Sequence, residues 1–259
     1  MKTLAKKVFD ELPFPHVVII GGGFAGLTLI KKLANQPFKV TLIDRNNFHT
    51  FQPLLYQVAT ASLTPDSIGY PFRRMVSPIN NVAFRMADVL EVDYKQKNVV
   101  TEEGNIAYDI LVLATGSKTN FFGNDGLASK TMQLKSISQA LDIRSVFLQE
   151  FEKAVRLSDG NDDEQLKKAL NFVIVGAGPT GVEVAGALAE IKNKILRKEY
   201  REVDPNMMQI TLIDAGPRVL AGMSDKSSRN ATGYLEKMGV KCITNMPVNR
   251  YDGHNLVLN

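Results

Sequence analysis

The 259-residue chain has one cysteine, Cys242, so it can form no internal disulfide and no redox-active cysteine pair. Chemistry that passes electrons through a dithiol is thereby excluded from these residues, and Cys242 itself reads as a small buried hydrophobe in a strand Val240 to Thr244. No stretch approaches the roughly 18 consecutive apolar residues that a membrane-spanning helix requires. Met1 to Glu11 is mildly basic through Lys2, Lys6 and Lys7 but lacks an apolar core and a cleavage site, so a secretory signal is not expected. The formal net charge is only +4, with no arginine-rich run and no aromatic-plus-basic stripe, which argues against nucleic acid as a partner. The small excess suits an anionic cofactor or an anionic membrane surface. Histidine is also scarce: His16, His49 and His254 are scattered, form no nucleophile triad, and read as structural, with His49 the one expected near a cofactor.

What is present is a pattern that occurs twice. An apolar β-branched run, His16 to Ile20, leads into Gly21-Gly-Gly-Phe-Ala-Gly26, a helix Leu27 to Ala34, and a strand Val40 to Ile43 ending at Asp44. Further on, Asn171 to Val175 leads into Gly176-Ala-Gly-Pro-Thr-Gly181, a helix Val182 to Arg197, and a strand Ile210 to Ile213 ending at Asp214. The two strand ends, Val40-Thr-Leu-Ile-Asp44 and Ile210-Thr-Leu-Ile-Asp214, are nearly one word, as expected of two copies of one fold. Between the copies lie a long stretch rich in proline and aromatics from Asn46 to Arg85, strand-like runs at Val82 to Val92 and Asn98 to Thr101, and a turn at Glu103 to Asn105. A buried-type strand follows at Tyr108 to Leu113, then a helix from Ser136 to Leu157 that Ser136 or Ser138 could cap. The acidic loop Ser158 to Glu164 is the expected domain boundary or linker end, and Pro247 to Asn259 reads as a hairpin turning at Asp252-Gly253.

The doubled turn has a specific chemistry. A dinucleotide pyrophosphate is dianionic, and a helix N-terminus offers free N–H groups and the positive end of a dipole. Gly21 and Gly176 would make the tight turn, Gly23 and Gly178 would let the backbone approach the phosphates, and Gly26 and Gly181 would let helix and strand pack closely. Asp44 and Asp214 would accept from ribose hydroxyls. Asp214 would repel a 2′-phosphate and so favour NADH over NADPH, with nearby Arg218 as the residue that could weaken that preference.

Four segments stand in a telling order: Gly21-Gly-Gly-Phe-Ala-Gly-Leu27, Phe51-Gln-Pro-Leu-Leu-Tyr-Gln-Val-Ala59, Tyr108-Asp-Ile-Leu-Val-Leu-Ala-Thr-Gly-Ser117 and Val175-Gly-Ala-Gly-Pro-Thr-Gly-Val-Glu-Val-Ala-Gly186. Together they resemble type II NADH dehydrogenase, the single-subunit NADH:quinone oxidoreductase of respiratory membranes, over nearly the whole chain. The resemblance implies an α/β architecture of two Rossmann-like domains of the three-layer ββα type. FAD would be held in 1–120, a connecting helix and linker would run through 121–165, and NADH would be held in 166–259. It implies that Gly21, Gly23, Phe24, Ala25 and Gly26 cradle the FAD pyrophosphate. Asp44 and Arg45 would hold the adenosine end, Thr50 and Gln52 would lie near the flavin, and Ala87 and Val89 would reach the adenine. Ala114, Thr115 and Gly116 would form the crossover between domains. NADH would fall to Gly176, Gly178, Pro179, Thr180, Gly181 and Asp214. Glu183 would sit by the nicotinamide and flavin on a proton route to quinone; the plainer alternative is an acid in the first helical turn, favoured by the dipole.

The implied activity is hydride transfer from NADH to flavin and onward delivery of electrons to a membrane quinone, in the respiratory chain without proton pumping. The implied location is peripheral, on the cytoplasmic face of the inner membrane, and a homodimer is an option the resemblance leaves open. In this family a second FAD-domain segment, quinone contacts and amphipathic anchoring helices follow the NADH domain. None appears before Asn259, so the chain reads as a fragment expected to keep both turns, remain soluble and have little or no activity. Two rivals stay open: a ferredoxin- or rubredoxin-reductase-like flavoprotein, and a non-enzymatic nucleotide-binding redox module.

Overall fold

The computed structural model describes Phe9, residues 11–160 and residues 162–259; Lys2, Lys6 and Lys7 lie outside them. Its contacts divide the chain into two units, residues 1–51 with 66–118, and residues 52–65 with 119–259.

In the first unit β1 (His16–Ile20) and β2 (Lys39–Asp44) flank the glycine-rich turn and helix α1 (Phe24–Leu33), and β3 (Phe48–Thr50) pairs antiparallel with β4 (Gly69–Pro71). β5 (Val82–Met86) and, beyond β6 (Val89–Asp93), β7 (Asn98–Thr101) and β8 (Gly104–Ala107), strand β9 (Ile110–Leu113) complete a parallel sheet of order β5-β2-β1-β9. Side chains alternate along a strand, and here both faces are covered. Val17, Ile19, Val40 and Leu42 pack with Leu27 and Ile30 of α1 and with Phe72 and Phe84. Val18, Ile20 and Ile43 pack on the other side with Ala87 and with Val99 of the antiparallel β6-β7-β8 meander. Meander, sheet and helix are the three layers of the expected ββα fold.

Three local expectations are corrected. α1 starts at Phe24 rather than Leu27, because Gly23 is extended and serves as its N-cap. The run Val82 to Val92 is two strands in two sheets: the Ala87 N–H donates to the Asp44 carbonyl at 3.1 Å, and the chain there leaves the parallel sheet for the meander. Tyr108 to Leu113 is shorter and not buried. β9 is the edge of its sheet among the described residues, and Leu113 is 68% exposed.

The end of α1 is tied down by one side chain. Buried Asn81 donates through Nδ2 to the carbonyls of Leu33 (2.9 Å), Gln36 (3.1 Å) and Phe38 (2.9 Å), and its Oδ1 accepts from Asn35 N–H (2.8 Å), where Asn35 has a positive φ of 58°. These bonds satisfy groups that the helix end leaves orphaned. Asn81→Ala is expected to lower unfolding free energy by about 2 kcal/mol, measured by urea titration, since three partly buried carbonyls lose their donor at once. An unchanged midpoint would show that water replaces the amide at no cost.

The second unit begins with the 3₁₀ turn Gln52–Leu54 and the short helix Leu55–Ala59, which packs on α2 (Ile137–Asp159). Ser136 caps α2, its Oγ accepting from Gln139 N–H at 3.2 Å. Of the stretch Ser158 to Glu164, expected as a linker end, Ser158 and Asp159 close α2, Asp163 and Glu164 open α3 (Asp163–Ala169), and the Asp162 carboxylate caps α3 through Gln165 N–H at 3.1 Å. β10 (Asn171–Val175), β11 (Gln209–Ile213) and β12 (Val240–Ile243) form a parallel sheet in that order. α4 (Pro179–Glu190) starts three residues before the expected Val182, with proline at its first turn, and runs on into a π-helical stretch Ile191–Leu196. α5 (Asp225–Lys237) precedes β12. Cys242 is partly buried against the core, and burial, with Glu236 nearby, pushes its thiol pKa up. β13 (Val248–Tyr251) and β14 (Leu256–Leu258) form the expected hairpin. The Asp252 carboxylate accepts from His254 and Asn255 N–H at 2.7 Å each, which pulls its pKa down to about 2, and Gly253 takes a φ of 108°. Among the described residues no helix is long and apolar enough to cross a membrane.

Candidate functional site

The two glycine-rich turns are built alike, each within its own unit. In the first, Gly21 N–H donates to the Ile43 carbonyl at 2.8 Å and the residue has a φ of 106°. A Cβ on Gly21 would overlap the Ala114 carbonyl, so the Ala114–Thr115 backbone lies directly behind the turn, and Gly116 follows at a φ of 72°. Gly22 N–H donates to Asp44 Oδ2 at 2.7 Å, and the other Asp44 oxygen accepts from Asn46 N–H at 2.8 Å. Gly23 has nothing within 4 Å of where a Cβ would sit, whereas a Cβ on Gly26 would overlap the Gly21 carbonyl oxygen. The first glycine therefore makes the turn, the second leaves an open approach, and the third permits close packing, as the sequence pattern requires.

In the second, Gly176 N–H donates to the Ile213 carbonyl at 2.7 Å at a φ of 105°. Ala177 N–H donates to Asp214 Oδ2 at 2.5 Å, and the other oxygen accepts from Gly216 N–H at 2.6 Å. Gly178 is open, and a Cβ on Gly181 would overlap the Gly176 carbonyl oxygen. Pro179 and exposed Thr180 open α4.

Neither α1 nor α4 has a capping side chain at its N-terminus, and neither has an acid in its first turn. The N–H groups of each first helical turn are left without a side-chain acceptor and no acid of the helix itself competes for them, which fits a pyrophosphate. Asp44 and Asp214 do more than the sequence suggested, since each already spends one lone pair per oxygen on bracing its own turn. A carboxylate oxygen has a second lone pair, so capacity for ribose hydroxyls remains.

Around the first turn, Arg45 pairs with Asp88 at 3.5 Å, which brings Arg45 beside Ala87 and Val89. Exposed Phe24 stands edge-on to His49 and Phe51, with ring centroids 5.3 and 5.4 Å apart. Thr50 lies on β3 of this unit, while Gln52 belongs to the second unit. Around the second turn, Arg218 donates through one terminal nitrogen to the carbonyls of Ala221 and Met223 at 2.9 Å each and pairs through the other with Asp225, the first residue of α5, at 2.7 Å, so both terminal nitrogens are engaged locally.

Glu183 is the fifth residue of α4, beyond the first turn, so the dipole explanation offered for it is corrected. It is half-buried, has no hydrogen bond or ion pair among the described residues, and burial raises its carboxyl pKa above 4.5. Such a group contributes full stability below its unfolded pKa and loses it as pH rises through the higher folded value. Glu183→Gln is therefore expected to raise the thermal midpoint slightly at pH 7 to 8, with the gain vanishing near pH 4. A variant less stable than its parent at pH 7 would contradict that.

Phe72 and Leu220, which the sequence did not single out, and His49, expected only to lie near a cofactor, hold the turns in place. Phe72, 1% exposed, is why Gly22 carries no side chain: a Cβ there would overlap its ring. A signal existed, since the first turn has three glycines in a row where the second has Gly-Ala-Gly. His49 Nδ1 bonds to the Gly22 carbonyl at 2.9 Å, and Leu220 N–H donates to the Ala177 carbonyl at 2.8 Å.

Residues 15–258 match the family model described as pyridine nucleotide-disulphide oxidoreductase. The chain is 40% identical over 230 residues to a type II NADH:quinone oxidoreductase, Ndh, of Mycobacterium tuberculosis, covering 87% of this chain and 49% of that protein. It is 31% identical over 269 residues to the type II NADH:quinone oxidoreductase of Haemophilus influenzae, covering 93% of this chain and 60% of the other. Among solved structures, NDH2 from Plasmodium falciparum in complex with NADH superposes with a TM-score of 0.85 at 28% identity, over 94% of this chain and 50% of that one. The chain thus spans about half the length of the curated relatives it matches.

Proposed function

We infer the activity from one premise: the chain belongs to the pyridine nucleotide-disulphide oxidoreductase family. Within it, the reading supported best is an FAD-dependent NADH:quinone oxidoreductase of type II, with FAD on the first turn and NADH on the second. One observation carries this reading. The chain has two separate, uncapped, acid-braced helix N-termini of the same build, and two dinucleotides need two such cradles. The relatives' names and the NADH complex of the similar structure support NADH as one of the two nucleotides, the resemblance implies FAD as the other, and the single cysteine weighs against the dithiol branch of the family.

When bound, FAD supplies the acceptor for a hydride from NADH and the electrons that a quinone takes up. The chain's own residues bind and orient. Gly21 to Gly26, Asp44, Arg45, Ala87, Val89 and Ala114 to Gly116 hold one nucleotide, with Thr50 and Gln52 assigned to its flavin end. Gly176 to Gly181 and Asp214 hold the other. Asp214 selects NADH over NADPH, since it would repel a 2′-phosphate and Arg218 is engaged elsewhere. Glu183 lies on the nicotinamide side, on the proton route to the quinone. The whole protein works as a peripheral protein at the cytoplasmic face of the membrane.

The test is anaerobic spectroscopy followed by turnover. Flavin bands that NADH bleaches and a quinone analogue restores, in the whole protein, are the expected result. Reduced flavin that passes electrons to a ferredoxin or rubredoxin but not to quinone would replace this reading with an electron-carrier reductase. Bound nucleotide with no NADH oxidation would replace it with a sensor module.

A further inference from the structure

We propose that His49 is a positioning residue for the first turn: its Nδ1–H holds the Gly22 carbonyl and so aims the Gly23 N–H at the cofactor pyrophosphate. The peptide unit is planar and trans, so the Gly22 C=O and the Gly23 N–H point in opposite directions. A donor that fixes the oxygen also fixes the direction of the N–H. This peptide needs fixing more than most, because it lies between two glycines, which lose the most conformational freedom on ordering. Its amide neighbour is already held, Gly22 N–H donating to Asp44 at 2.7 Å, so the 2.9 Å bond from His49 completes a clamp on both sides of Gly22.

The second turn provides an independent control within the same chain. Ala177 occupies the position of Gly22, and it too is clamped on both sides, by Asp214 on its N–H at 2.5 Å and by Leu220 on its carbonyl at 2.8 Å. Leu220 sits at a φ of 52°, in the left-handed region that non-glycine residues seldom adopt. Both turns therefore recruit an outside donor for the same carbonyl, one at the expense of an unfavourable backbone conformation and the other with a side chain. The His49 ring is itself located by packing, edge-on to Phe24 with centroids 5.3 Å apart and 6.5 Å from Phe72. A carbonyl can only accept, so the proton must be on Nδ1; the neutral Nδ1–H tautomer and the imidazolium both satisfy the bond.

The inference rests on the assignment of FAD to the first turn, and two measurements separate the two claims. Nitrogen NMR of the imidazole is expected to show a protonated, pyrrole-type Nδ1, with or without cofactor; a pyridine-type Nδ1 overturns the proposal. FAD binding, followed by flavin fluorescence quenching, is expected to weaken about tenfold in His49→Phe, which keeps a packed ring but has no donor, with NADH binding unchanged. His49→Asn, which places an amide nitrogen where Nδ1 stood, is expected to restore most of the affinity. Unaltered FAD affinity in His49→Phe, or failure of His49→Asn to recover what His49→Phe loses, overturns the proposal. A parent chain that binds no FAD at all removes the assignment of the first turn, while the tautomer still decides whether His49 clamps Gly22.

Discussion

Gly181→Ala is expected to weaken NADH binding by about 10- to 100-fold and leave FAD binding intact, and Gly26→Ala to do the reverse. A Cβ at either position would overlap the carbonyl oxygen of the first glycine of its turn, Gly176 or Gly21, and backbone cannot swing aside as a side-chain tip would. Relief requires the helix to shift away from the strand, and overpacking of this kind costs roughly 1–3 kcal/mol. That shift also moves the uncapped N–H groups off the phosphates, so the cost appears in affinity at 1.4 kcal/mol per tenfold. Each variant serves as the other's control, because each turn belongs to its own unit. Titrations of both nucleotides against both variants check the point, and a single substitution that abolished both affinities equally would mean that one site, not two, had been disturbed.

Asp214→Asn and Asp44→Asn are expected to destabilise the protein by about 2–4 kcal/mol, measured by denaturant titration, before any nucleotide is added. Each carboxylate accepts two backbone N–H groups, Ala177 and Gly216 for Asp214, Gly22 and Asn46 for Asp44. An asparagine keeps one acceptor oxygen and turns an NH₂ toward the other N–H, so a charge-assisted bond is replaced by a donor facing a donor. If these acids served only a ribose, the apoprotein would lose nothing and only affinity would fall. Stability loss without ligand is thus what separates a turn-bracing role from a purely ligand-binding one.

The motif-bearing parts of the fold were legible because their physics is local. A strand, three spaced glycines and an acid at the next strand's end specify a turn whose framing bonds lie largely within one βαβ unit, and both copies form that turn, each helix starting three residues earlier than read. What escaped the sequence depends on partners distant along the chain. Phe72 reaches Gly22 from fifty residues away, inside a stretch whose irregular proline and aromatic content gives no periodicity to follow. His49 is the one histidine expected near a cofactor, but its bond to the Gly22 carbonyl shows only in the structure. β9 has the composition of a buried strand, but burial depends on sheet order, and it stands at an edge. Likewise the strand-like run from Val82 to Val92 does not reveal that one sheet ends at Met86 and another begins at Val89. The acidic loop at Ser158 has the composition of a linker, yet Asp162 uses that composition to cap a helix.

The two-cradle reading is tested most directly by titrating FAD and NADH onto the same chain by calorimetry, each in the presence and absence of saturating amounts of the other. One FAD and one NADH per chain, neither displacing the other, is the expected result. A single nucleotide per chain, or competition between the two for one site, would contradict it.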